Sequence, residues 1–233
     1  MINIMLRNAA AIALLALGVI PVQAQVEAPV TDCDSYAANS LDPQRKAPGV
    51  TLTELDPSRA IPACEKALQQ YPDSARFMYQ LGRGYHRSDD YAAAARWYRK
   101  AMEHGSDFGE AAFALLLMSG QGVPKDTAKA VTLLRDAAEK GVLIAQNALG
   151  YMYARGQGVP KDDEQALLWN RRAAAQGAPN AQLALGIAYE EGNGVKQDLE
   201  QAAMWYRKAA AWGLEDAKKR LAGVEAKQKS QAK

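Results

Sequence analysis

Apolar residues recur along most of this chain at spacings of three and four, the pattern of helices that bury one face. Between positions 145 and 177, Ala145, Ala148, Leu149 and Tyr153 share one helical face, and Ala166, Trp169 and Ala173 share another. Glycine punctuates the two stripes. Gly156 follows the first and Gly177 the second, where the end of a helix favours a positive φ. Asp162 stands before the second stripe as an N-cap, and Gln165 three residues on completes a capping-box pattern that Asp198 and Gln201 repeat. No segment carries a convincing run of alternating β-branched residues, so the pattern predicts helical hairpins and an all-α fold.

The hairpin recurs with a period of 36 residues. Leu149-Gly150, Tyr153, Gly156, Gly158, Val159 and Asp162 align with Leu185-Gly186, Tyr189, Gly192, Gly194, Val195 and Asp198. One period earlier stand Gly120, Gly122, Val123, Pro124 and Asp126. The second halves agree as well, with Ala130, Ala166 and Ala202, then Leu133, Trp169 and Trp205, then Gly141, Gly177 and Gly213. A shorter unit carrying Leu81-Gly82, Tyr85, Ala94, Trp97, Ala101 and Gly105 lacks part of the glycine loop. Ala60, Cys64 and Ala67 form a half unit before it, and Ala217 and Leu221 begin another after the last. The predicted organisation is a cap segment with a half repeat at 25–74, units at 75–108, 109–144, 145–180 and 181–216, and a capping helix with a basic tail at 217–233. Small residues such as Gly150, Ala166 and Ala173 let paired backbones approach, and Trp169 and Trp205 fill the space between neighbouring hairpins.

Residues 1–24 read as a secretory signal peptide. Arg7 precedes an apolar run from Ala9 to Ile20, Pro21 ends it, and Val22-Gln23-Ala24 offers small residues for cleavage after Ala24. The run is too short for a transmembrane anchor. Export to the periplasm or the exterior gives Cys33 and Cys64 a meaning, because an oxidising compartment favours their pairing over two free thiols. Closing that loop stabilises a fold by roughly 3 kcal/mol in the chain-entropy model. With 28 Lys+Arg against 26 Asp+Glu, the chain has no field to attract nucleic acid.

Candidate chemistry is sparse, and neither a metal nor a cofactor is expected. Gly156-Gln157-Gly158-Val159 lacks the Lys-Ser/Thr of a phosphate loop, and Asp162 already occupies the following helix N-terminus. His86 and His104 belong to no metal-ligand motif, and His104 suits a helix C-terminus as a cation. The adjacent carboxylates Asp89-Asp90, Asp162-Asp163 and Glu190-Glu191 diverge on a helix and make poor catalytic pairs.

The unit A…LG..Y..G.GV..D...A..W...AA..G closely resembles the Sel1-like repeat, a relative of the tetratricopeptide repeat. The resemblance spans about 75–215, with tetratricopeptide-like character at 61–105. It implies a right-handed α/α solenoid that scaffolds or regulates protein complexes without catalysis, such as periplasmic members that bind sensor domains of membrane kinases. Cysteine-rich secreted relatives imply an alternative, a β-lactam-binding or hydrolysing enzyme. The one S-x-x-K match here is Ser230-Gln231-Ala232-Lys233 in a polar tail, and the two cysteines per repeat of those relatives are missing. A peptidoglycan-binding envelope protein is a third reading.

In arrays that stack this way the first helix of each hairpin lines a concave surface. The register then assigns a protein or peptide partner to Arg76, Tyr79, Arg83 and Arg87 in the first unit, with His86 beside them, and to Phe108, Leu115 and Met118 in the second. Tyr151 and Arg155 follow in the third unit, with Asn147, and Leu183, Ile187, Glu190 and Glu191 in the fourth. The expected groove is basic at its N-terminal end, apolar in the middle and acidic at its far end. Against it stands a plainer reading, in which the leucines are core between repeats and the arginines an ordinary solvated face. The tail beyond Asp216 is strongly basic and reads as a solubilising cap followed by disorder, with weak contact to lipid or peptidoglycan as the alternative.

Overall fold

The computed structural model describes residues 27–231, so the expected signal peptide lies outside the described residues. Its helices are α1 (Asp32–Ala37), α2 (Pro57–Gln70), α3 (Ala75–Arg87), α4 (Tyr91–Glu103), α5 (Asp107–Ser119) and α6 (Thr127–Glu139). They continue as α7 (Leu143–Arg155), α8 (Asp163–Ala175), α9 (Pro179–Glu191), α10 (Leu199–Ala211) and α11 (Glu215–Gln231). Each packs on the next, and α3/α4, α5/α6, α7/α8 and α9/α10 are successive hairpins of a right-handed α/α solenoid. The first helices also touch one another, α3 on α5 and α7 on α9, whereas the second helices make no comparable contact. The first helices therefore sit at the smaller radius and form the inner wall.

Hairpin boundaries follow local chemistry. Asp90, Asp126, Asp162 and Asp198 cap the second helices, accepting the backbone N–H of Ala93, Lys129, Gln165 and Gln201 at 2.9–3.0 Å. Only half of the expected capping box forms, because the Gln165 and Gln201 side chains return no bond to the cap backbone among the described residues. Gly120, Gly156 and Gly192 close the first helices in the left-handed conformation. The shorter first unit has no such glycine, and Asp89 takes a φ of 62° in its place.

Within a hairpin, a small residue on the first helix receives a large one from the second. A Cβ at Gly82 would lie 2.5 Å from the Tyr98 ring, at Gly150 2.2 Å from Asn170 Oδ1, and at Gly186 2.3 Å from the Tyr206 ring. Ala114 and Leu134, both fully buried, hold the equivalent positions of the second unit. Trp169 is buried and Trp205 half-buried, with Arg172 and Lys208 over their rings at 4.7 and 4.3 Å. Polar links also repeat with the period. Arg135 and Arg171 donate to the hydroxyls of Tyr153 and Tyr189 at 2.8 and 3.0 Å, and Arg207 pairs with Glu225 at 2.7 Å.

Both ends of the array are closed by the chain itself. At the N-terminus, residues 27–50 form a strap across α3. The Cys33–Cys64 disulfide ties α1 to α2, with both cysteines fully buried. Arg76 donates to the carbonyls of Ala28 and Pro29 at 2.8 and 2.9 Å, and Arg83 to those of Ala37 and Val50 at 2.7 Å each. At the C-terminus the expected disorder gives way to a helix that runs to Gln231. Glu190 anchors it, accepting from Tyr206 Oη at 2.7 Å on α10, and from Arg220 at 3.1 Å and Lys227 at 2.8 Å on α11. Burial alone would raise the Glu190 carboxyl, but the bonds from Lys227, Tyr206 and Arg220 outweigh it and hold its pKa below the ordinary glutamate value.

Gly186→Ala should drive its methyl into the Tyr206 ring and destabilise the protein by about 1–3 kcal/mol, read as a lowered midpoint in thermal unfolding. The depressed Glu190 pKa sets a direction with pH. Its contribution is complete above the unfolded glutamate value of about 4.3 and is lost as pH falls through the lower folded value. The hydrogen-exchange protection factors of residues 215–231, taken relative to the intrinsic rate at each pH, should therefore fall in that acidic window, and Glu190→Gln should remove much of that pH dependence.

Candidate partner-binding groove

The inner wall carries its side chains in rows set by the repeat. One row runs through Arg76, Phe108, Ile144 and Asn180, and another through Arg83, Leu115, Tyr151 and Ile187, one residue from each first helix. The repeat sets one residue of each row on each first helix, with α3 touching α5 and α7 touching α9, so a ligand lying along the solenoid would meet one residue per repeat.

The basic end differs from expectation. Arg83 is 4% exposed and Tyr79 is buried, so neither forms part of a free surface. The guanidiniums of Arg76 and Arg83 are occupied by strap carbonyls, and Tyr79 Oη accepts from Asn39 Nδ2 at 2.8 Å. Burial is the main cause that pushes the Tyr79 phenol up to about 12, partly offset by the charge of Arg83. Arg87 alone of the expected basic group is exposed, and it makes no ion pair among the described residues. His86 is half-buried against Tyr98, its Nδ1 at 3.3 Å from the hydroxyl.

The acidic end is likewise compensated. Glu190 belongs to the clamp on α11, and Glu191 lies 3.5 Å from the same Arg220. Both carboxylates serve the attachment of the last helix, so the far end offers little net negative charge.

The middle remains. Phe108 is half-buried with its ring 5.8 Å from that of Tyr79, and Leu115 and Met118 are half-buried against the main core. Leu183 and Ile187 are half-buried on the C-terminal core cluster. Tyr151 stands out at 54% exposure, with the Arg155 guanidinium 5.9 Å from its ring centroid. Ile144, one helical repeat before Tyr151 on the same face, is 39% exposed. It is absent from the groove residues expected above, although the repeat register alone places it, one 36-residue period after Phe108.

Beside this strip lies an open cavity of about 880 Å³ between the strap and the N-terminal ends of α3, α5 and α7. Arg76, Tyr79 and Phe108 line it, with Asp42 and Lys46 from the strap and His104 and Lys140 from the ends of second helices. Lys140 is held by Asp136, Asp107 and Glu110 at 2.6–3.1 Å, so the cavity presents mixed rather than single-sign charge. Among the described residues, no helix is long and apolar enough to cross a membrane.

A Sel1 repeat family model matches residues 110–142, 143–177 and 179–213, and a tetratricopeptide repeat model matches 52–117. No curated protein matches the chain. Among solved structures, a Sel1 repeat protein from Oxalobacter formigenes is 30% identical, the match covering 68% of each chain with a TM-score of 0.62. A protective antigen present in uropathogenic Escherichia coli strains, displaying an SLR fold, is 32% identical with a TM-score of 0.64. That match covers 73% of this chain and only 37% of the antigen. Repeat for repeat and in three dimensions, the chain belongs to the Sel1 repeat family, whose helical arrays generally scaffold protein–protein interactions.

Proposed function

We propose that this protein is an exported, non-catalytic adaptor or regulator that binds a protein or peptide segment along the middle of its inner wall. The observation that carries this reading is the strip formed by Phe108, Leu115, Ile144, Tyr151, Leu183 and Ile187. It is the stretch of the groove that the chain does not cover or neutralise itself. Tyr151 and Ile144 are its exposed anchors, and a large aromatic that is already ordered loses little freedom when a partner covers it. Asn147 and Arg155 beside them supply the polar contacts that set register. The paired cysteines support an oxidising location outside the cytoplasm, where an envelope sensor or complex is the kind of partner such a groove would meet.

Crosslinking capture from the native envelope fraction tests this reading. An Ile144→Ala/Tyr151→Ala variant should lose about tenfold in capture of the partner, equivalent to about 1.4 kcal/mol, while keeping its helical signal and thermal midpoint. Leu168→Ala, at an exposed leucine on α8 of the outer layer, should leave capture unchanged. Loss of capture with Leu168→Ala and retention with the double variant would move the interface to the outer face.

A further inference from the structure

The strap contacts α3 as a ligand would. Arg76 and Arg83 each hold two carbonyl oxygens, and Gln80 Nε2 donates to the fully buried carboxylate of Asp34 at 3.1 Å. The Asp34 carboxylate also lies 3.2 Å from Arg76 Nε, yet that N–H is off the hydrogen-bond line and has no partner in its buried position. α3 thus presents a built recognition surface for an acidic peptide, occupied within the molecule and incompletely satisfied.

Besides the disulfide and these polar contacts, the strap is held by Cys33, Ala37 and Ala38, which are fully buried, and by Ala28, Tyr36 and Val50, which pack against the main core. Of its larger apolar side chains, Val30 and Leu41 are more than half exposed, while the Tyr36 ring lies under the Arg59 guanidinium at 4.2 Å. The link from Cys33 to Cys64 on α2 adds a covalent fastening to these contacts and holds the segment over a charged surface.

We propose that the strap is a redox-dependent cover over a second peptide site, formed by Arg76, Gln80 and Arg83, whose ligand is an acidic extended peptide. Opening requires a dithiol. One thiolate attacks a sulfur of the Cys33–Cys64 bond to give a mixed disulfide, and the second thiol of the reductant displaces it. Cys33 and Cys64 end as two protonated thiols, and the reductant ends as a disulfide. Both sulfurs are fully buried, so attack follows a local opening of the strap. With the strap released, the two guanidiniums face the groove beside the cavity, and a carboxylate-bearing segment replaces the Asp34 carboxylate and the strap carbonyls. This site lies on α3 and is independent of the strip on α5–α9, so either proposal can fail alone.

The test uses the full mature chain, oxidised or treated with dithiothreitol, with thiol counting to establish cleavage of the bond. Hydrogen exchange should show loss of protection across residues 31–50 on reduction while α5–α10 keep theirs. Fluorescent hexaglutamate should bind the reduced protein at least about tenfold more tightly than the oxidised one, because the competent state is no longer a minor population. The Cys33→Ser/Cys64→Ser variant should bind without dithiol, and adding Arg76→Gln and Arg83→Gln to it should abolish binding. Three results would overturn the proposal: a strap that stays protected in the cysteine-free variant, hexaglutamate binding that is indifferent to reduction, or collapse of the whole helical signal once the bond is cut.

Discussion

A row of helical hairpins has no closed core. Each hairpin buries one face on the hairpin before it and another on the hairpin after it, so the first and last have a face with no neighbour. That constraint governs most of what distinguishes this chain from a bare run of repeats. Within the array the answer is geometric, a small residue on one helix receiving a large one from the next, as Gly82 receives Tyr98 and Gly186 receives Tyr206. At the ends electrostatic contacts join apolar burial, of Cys33 and Ala37 at one end and Ala217 and Val224 at the other. Arginines reach out from α3 to hold a strap, and a glutamate on α9 gathers a hydroxyl and two cations to hold α11.

The two closures shape the inner wall. A groove that a linear reading makes basic at one end and acidic at the other has both charged ends occupied by the chain itself. Buried charged groups of this kind are costly unless paired, so Arg83 and Asp34 commit the strap to one position. What remains for a partner is the apolar and aromatic centre around Tyr151, where residues are ordered by the repeat but not consumed by it.

The periodic part of this architecture was legible in the sequence because it rests on local chemistry. Aspartate caps, left-handed glycines and apolar stripes each act within a few residues, and the 36-residue period multiplies their signal. The all-α solenoid and the pairing of Cys33 with Cys64 are present as expected. The strap was not legible, because it has no periodicity and its contacts join residues 33–48 positions apart. Arg76 and Arg83 could be placed on one helical face, but nothing in their spacing tells whether that face meets solvent or another part of the chain. The same limit explains Glu190, whose partners Arg220 and Lys227 lie in a segment whose composition suggests disorder. The capping boxes err in the opposite direction. A local motif predicted two reciprocal bonds, and only the aspartate half forms, because the half-buried glutamine side chains return no bond to the cap backbone among the described residues.

The basic end of the groove is closed by the chain, with Arg83 buried under the strap. Arginine-selective modification with phenylglyoxal, quantified residue by residue by mass spectrometry on the native oxidised protein, tests this closure. The guanidinium of Arg83 should resist modification under conditions that modify Arg87 on the same helix to completion. Equal modification of Arg83 and Arg87 would contradict the closure and restore an open basic end.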